Sequence, residues 1–202
     1  MEAPATSPER RARRIRGWLP GLSCLLLLAL VLALVQKGVL RGERSFFTHG
    51  DNLHQSYPWA ASVARSLEQG SFPLWDPWTQ CGTSQVGEVQ TGVFYPPGLL
   101  TAWLGPRTAW GALDVRSLEL LVLLHYLLGG LGMFLLLRGL GMSWAAGVLG
   151  ALVFAFAGSF ATKANGQSNL FFAYAWVPLG LAAGLRAMRG RGRVYGDPWL
   201  YG

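Results

Sequence analysis

From Gly17 to Gln36 the chain carries no charged residue, and Leu22 to Val35 is almost pure leucine, alanine and valine. A run of about 20 apolar residues is long enough for one helical membrane crossing. Three further runs follow: Leu120 to Leu137, uncharged apart from the titratable His125; Gly139 to Thr162, rich in Gly and Ala; and Ala164 to Leu185, with Pro178 inside it. The short connectors, Arg138 to Ser143 and Lys163 to Asn169, make neighbouring helices antiparallel. Glycines at 129, 130, 132, 147 and 150 allow helices to approach closely. The pattern predicts an all-α fold, a polytopic transmembrane helical bundle with crossings over 17–36, 118–138, 142–162 and 168–186.

Between the first two runs, residues 37–117 form one large loop, too long and too aromatic to be filler. Phe46, Phe47, Tyr57, Trp59, Trp75, Trp78, Tyr95, Trp103 and Trp110 are among its rings, and such side chains favour the headgroup layer. Pro58 to Gln69 reads as a short helix, with Pro58 in its first turn, Gly70 as its cap, and Trp59, Val63 and Leu67 on one apolar face laid against a membrane. Val93 to Trp110 is apolar, but Pro96-Pro97 and Gly105-Pro106 leave too short a helix between them to span. It is expected to lie on the surface or to re-enter.

Composition supports a membrane protein: 51% of residues are hydrophobic and only 13% charged, about half the charge of an ordinary soluble domain. The net charge of +7 does not indicate nucleic acid, because no soluble stretch is long enough to build a folded basic face. Arg10 to Arg16 precede the first apolar run and Arg186 to Arg193 follow the last, with Arg138 between runs two and three. The positive-inside rule therefore places 1–16 and 187–202 in the cytoplasm and 37–117 outside. The basic prefix also suits a signal peptide, but no small-x-small site lies around Ala33 to Gln36, so an uncleaved first helix is expected. Cys24 and Cys81 lie in an apolar run and in the loop, and form no disulfide framework.

Just past the first run stands Thr48-His49-Gly50-Asp51-Asn52-Leu53-His54-Gln55-Ser56-Tyr57-Pro58-Trp59. Asp51 has two readings here, a helix N-cap or a carboxylate that accepts a proton. His49, Asp51 and His54 have the chemistry of a divalent metal site but lack a compact fourth ligand, so no metal and no other cofactor is expected.

Asp51, Gln55-x-Tyr57-Pro58-Trp59, Gly70-x-x-Pro73-Leu74-Trp75-Asp76-Pro77, Gly82, Phe94-Tyr95-Pro96-Pro97, His125, Arg138-Gly139-Leu140-Gly141, Phe154 to Gly158, Asn169 and Pro178-Leu179 occur in an order that resembles bacterial YfhO-like membrane proteins. Those are similar to polytopic glycosyltransferases of the GT-C class. One departure is Asp76, where the family usually has Asn, which suits a turn former better than an essential acid. The family has more spans than four, so the resemblance implies that the 202 residues are an N-terminal portion.

The resemblance implies transfer of a sugar from a polyprenyl-phosphate carrier in the lipid bilayer to an envelope glycan, lipid or protein on the outer face. Asp51 would be the catalytic base. His54, Gln55 and Tyr57 would orient it or bind sugar hydroxyls, and Glu88 and Gln90 would meet the acceptor. Lys163, flanked by Asn165 and Gln167 in the tight turn between two apolar runs, is the foremost candidate phosphate partner. Arg44, Arg65 and Arg107 are further candidate phosphate partners. Two other classes stay open: a transporter or flippase of a lipid-linked intermediate, and a non-catalytic assembly protein whose aromatic loop docks a partner.

Overall fold

The computed structural model describes the backbone of residues 8–195 and the side chains of residues 19–189. The arginines at 10–16, 191 and 193, on which much of the expected orientation rests, lie outside the described side chains. The structure is mostly helical, with three helical stretches long and apolar enough to cross a membrane: Val115–Gly139, Trp144–Gly166 and Ser168–Arg189. They coincide with the second, third and fourth expected crossings. The first falls on α1 (Pro8–Val35), whose described apolar part, Leu19–Val35, is shorter than these three.

α5 (Val115–Gly139) is the axial helix, packed against α1, α6 (Trp144–Phe156) and α8 (Ser168–Tyr195). Close approach sets this packing. A Cβ built on Gly132 would lie 3.0 Å from the Leu179 backbone nitrogen, so α5 and α8 meet backbone to backbone there. Around Tyr126 the core is aromatic: Phe46, Phe156, Phe160 and Phe171 have ring centroids 4.9 to 6.4 Å from the Tyr126 ring. Phe46 thus brings the segment after α1 into the helical core.

The third expected crossing is two helices, not one. α6 ends at Phe156, Ala157 is extended (φ −58°, ψ 143°), and α7 (Gly158–Gly166) follows. Gly158, which commits little to helix, lets the chain restart on a new axis. As a consequence Lys163 does not lie in a connector, as the sequence suggests, but in the last turn of α7. The connector is Gln167 alone, in extended geometry (φ −146°, ψ 65°), before Ser168 opens α8.

Residues 42–114 are ordered by local chemistry. A π-helical turn, Asn52–Ser56, runs directly into α3 (Tyr57–Glu68), and α4 (Pro96–Leu104) packs on α3 and α5. Both helices begin where proline can sit without an unmet donor. β1 (Trp75–Asp76) and β2 (Thr83–Ser84) pair antiparallel, Trp75 opposite Ser84. Asp76 is a turn former: it is buried, Oδ1 accepts from the Trp78 amide at 3.0 Å and Oδ2 from Thr79 Oγ1 at 2.6 Å.

The inward face of α3 is broader than the expected Trp59, Val63, Leu67 stripe and centres on Val63, packed on α4 within the protein. Ser62, Val63 and Ala64 are buried, Leu67 packs against the core, and Trp59 is half-buried.

Candidate functional site

Asp51 stands at the start of the π turn but does not cap it: its side chain makes no bond to the helix amides. Its Oδ2 instead accepts a hydrogen bond of 2.9 Å from Gln167 Nε2, 116 positions away. The other end of that amide, Gln167 Oε1, accepts from Lys163 Nζ. A carboxylate and an ammonium therefore share one amide, and all three side chains are half-buried. The tight α7–α8 junction makes this possible, since Lys163 and Gln167 are one helical turn apart and Gln167 is the residue at which the chain reverses.

Directly beneath this cluster lies Asn52, fully buried. Its Nδ2 donates to Phe46 O at 2.9 Å and to Ala164 O at 2.8 Å, and its Oδ1 accepts from Ser168 N at 2.6 Å. Asn52 thus joins three chain segments through three of the four bonds an amide can make. It fixes Asp51, its neighbour, against the α7–α8 turn. Sequence reading passed over it, since an asparagine in a polar run carries no signal of burial.

The remaining sequence-derived residues separate into those near this cluster and those used elsewhere. His54 is exposed and Gln55 half-buried on the π turn, three and four positions beyond Asp51. Tyr57 is not free for a ligand in the expected way, because its hydroxyl donates to Leu113 O at 2.9 Å and ties α3 to the segment before α5. Glu88 caps the short 3-10 turn Val89–Thr91 by accepting from Gln90 N at 3.0 Å. Gln90 offers its carbonyl to Asn169 Nδ2 at 2.6 Å. Arg107 is withdrawn from any phosphate role by its own partners: Glu68, Gly105 O and Ala102 O. His49 bonds Thr48 Oγ1 at 3.1 Å. Among the described residues no three His, Cys, Asp or Glu side chains converge as a metal site would require.

A cavity of about 430 Å³, whose lining includes the Ser168 that Asn52 binds, opens between α3, α4, α5 and the start of α8. Its walls are mainly apolar, with Val63, Leu99, Leu121 and Phe172 among them, and Ser56, Gln90 and Asn169 supply polar edges. Tyr95 and Trp176 close one side. Trp176 Nε1 donates to Tyr95 Oη at 2.8 Å, and Tyr95 Oη also contacts His125 Nε2. His125 Nδ1 lies 2.7 Å from Leu121 O, an atom that can only accept, so the ring hydrogen sits on Nδ1 and Nε2 accepts from the tyrosine. The result is a directed chain, Trp176 to Tyr95 to His125 to Leu121. Burial pushes the Tyr95 phenol above its ordinary range, with the Trp176 bond opposing in part, so the hydroxyl keeps the proton that it donates.

Comparison of the chain with protein-family models, curated proteins and solved structures finds no match.

Proposed function

We propose that the protein is a membrane-embedded glycosyltransferase of GT-C type, which moves a sugar from a polyprenyl-phosphate carrier to an envelope acceptor. The observation that carries the reading is the Asp51–Gln167–Lys163 array. The reaction removes a proton from an attacking hydroxyl and develops negative charge on a departing phosphate. A carboxylate suits the first need and an ammonium the second, provided they are held apart and oriented. The shared amide of Gln167 does both. The apolar cavity suits the first isoprene units of a lipid-linked donor.

In this reading the helices cross the bacterial plasma membrane several times, with the N-terminus in the cytoplasm. Arg138 and Arg189 lie at the Gly139 end of α5, whereas Asp51 and Lys163 lie at the opposite end, where Ser168 opens α8. The orientation itself rests on the dense arginine clusters of the sequence at 10–16 and 186–193, against the sparser basic residues spread over 37–117.

The test is Asp51→Asn in cells that depend on the full-length protein. Sugar incorporation into the envelope glycan is expected to fall by about 10²- to 10⁴-fold, the usual share of a general base, at unchanged protein level. Unchanged incorporation overturns the assignment. A transporter of the lipid-linked intermediate is the second reading, favoured by the buried His125 on a crossing-length helix. It is distinguished by loss of translocation in His125→Ala with transfer intact.

A further inference from the structure

A second hollow, of about 470 Å³, lies on a different face, where α3 meets the β1–β2 hairpin. Its working surface is made by Trp75, Trp78 and Phe72, interleaved with Ser62, Arg65 and Gln69. Trp75 is 55% exposed and Trp78 75%. Large rings left this open are costly unless something covers them, and the polar groups between them are the wrong neighbours for a lipid tail.

The rings are held in place. Trp75 lies flat over Gly82, where an added Cβ would stand 2.6 Å from Trp75 Cζ2. The three residues of that turn all have positive φ: Gln80 at 51°, Cys81 at 64° and Gly82 at 113°. Two of the three are not glycine, a strain that tends to collect at functional sites. Trp78 is fixed from two sides, by the Asp76 carboxylate on its amide and by the Arg65 guanidinium 5.7 Å over its ring. Beneath them Ser62 Oγ accepts from the buried Gln85 Nε2 at 2.9 Å, which leaves the Ser62 hydroxyl proton to point elsewhere. Gln85 Oε1 is buried and has no partner among the described residues.

Preorganised flat rings bordered by a guanidinium, an amide and a hydroxyl match one ligand chemistry well. A pyranose has an apolar C–H face that lies against an aromatic ring and a rim of hydroxyls that takes bonds from planar donors and acceptors. We infer that this hollow binds pyranose units of a glycan chain. The site shares no lining residue with the apolar cavity, and the inference does not rest on the transfer reading.

The experiment uses the full chain in nanodiscs with three soluble probes: cellohexaose, maltohexaose and N-acetylchitohexaose. Saturation-transfer NMR and tryptophan emission are expected to report binding of at least one. Trp75→Ala and Gln69→Ala should each weaken it about tenfold or more, with the melting temperature unchanged. Trp75→Phe, which keeps a ring, should retain part of the affinity and guards against misfolding of the alanine variant. Asp51→Asn should leave binding intact, so that failure of the transfer reading and failure of this site give different results. Absence of binding to all three probes, or binding that survives loss of both Trp75 and Trp78, overturns the inference. So does quenching of these two tryptophans by brominated lipid, which would place the rings in the bilayer as interfacial anchors.

Discussion

Gln167 Nε2 and Asp51 Oδ2 are 2.9 Å apart, a bond that, with those of Asn52, joins the segment after α1 to the turn between α7 and α8. The amide that makes it also accepts from Lys163. Gln167 therefore sets the separation and orientation of the two charged groups without itself being charged. Replacement by Leu should remove both bonds, and replacement by Glu should place a second carboxylate beside Asp51. Transfer is expected to fall about 10-fold or more in Gln167→Leu and further in Gln167→Glu, where the carboxylates repel. Sugar incorporation at matched protein level is the measurement, with KM separated from kcat.

Asn52 predicts a stability effect independent of chemistry. Asn52→Ala removes three hydrogen bonds and leaves Phe46 O, Ala164 O and Ser168 N without their partner in a buried place. Each stranded group costs about 1–3 kcal/mol, so a total loss of about 3 kcal/mol or more is expected. Thermal melting of purified protein in detergent should show it as a large drop in Tm. Asn52→Asp should be no better, since a carboxylate cannot donate to the two carbonyls.

Tyr95→Phe deletes the central hydroxyl of the Trp176–Tyr95–His125 chain and leaves His125 Nε2 without its donor. A loss of about 1–3 kcal/mol is expected. In a double-mutant cycle Tyr95→Phe with Trp176→Phe should be less than additive, because both remove the same bond.

The same tyrosine gives a pH dependence. Its folded-state pKa is raised by burial above the ordinary value of 10.0, so the folded state holds the proton more tightly than the unfolded chain. The stability from this group is complete below about pH 10 and is lost as pH rises through the folded-state value. The pH profile of Tm for Tyr95→Phe should therefore fall less steeply above about pH 10 than that of the unaltered protein.

Gly82→Ala tests the hairpin alone. Positive φ and the Trp75 ring both oppose a Cβ there, with a cost of about 1–3 kcal/mol confined to the β1–β2 turn. Tryptophan emission should shift while the helical circular dichroism stays unchanged.

The crossing-length helices were legible along the chain because burial in lipid demands uninterrupted apolar residues, which local composition records directly. Short helices announced by Pro58 and by Pro96-Pro97 were legible for a similar reason, since proline restricts its own backbone wherever it occurs. Asp51 and Lys163 were both singled out, one for its place after an apolar run and the other for its polar neighbours. What no local pattern could record is that Gln167 joins them, or that Asn52 is buried beneath. Those facts follow from contacts 112 and 116 positions apart, made only when α5, α7 and α8 have packed.

The face of α3 shows the same division. Its helical character and the stripe through Val63 are local, but the burial of polar Ser62 beside Val63 follows from Gln85, 23 positions on, reaching its hydroxyl. The sequence by itself determined which segments are helical and apolar, because those are properties of neighbours along the chain. Only the tertiary structure decided which polar groups meet, because hydrogen-bond partners are chosen by geometry in space and leave no periodic trace in the residues between them.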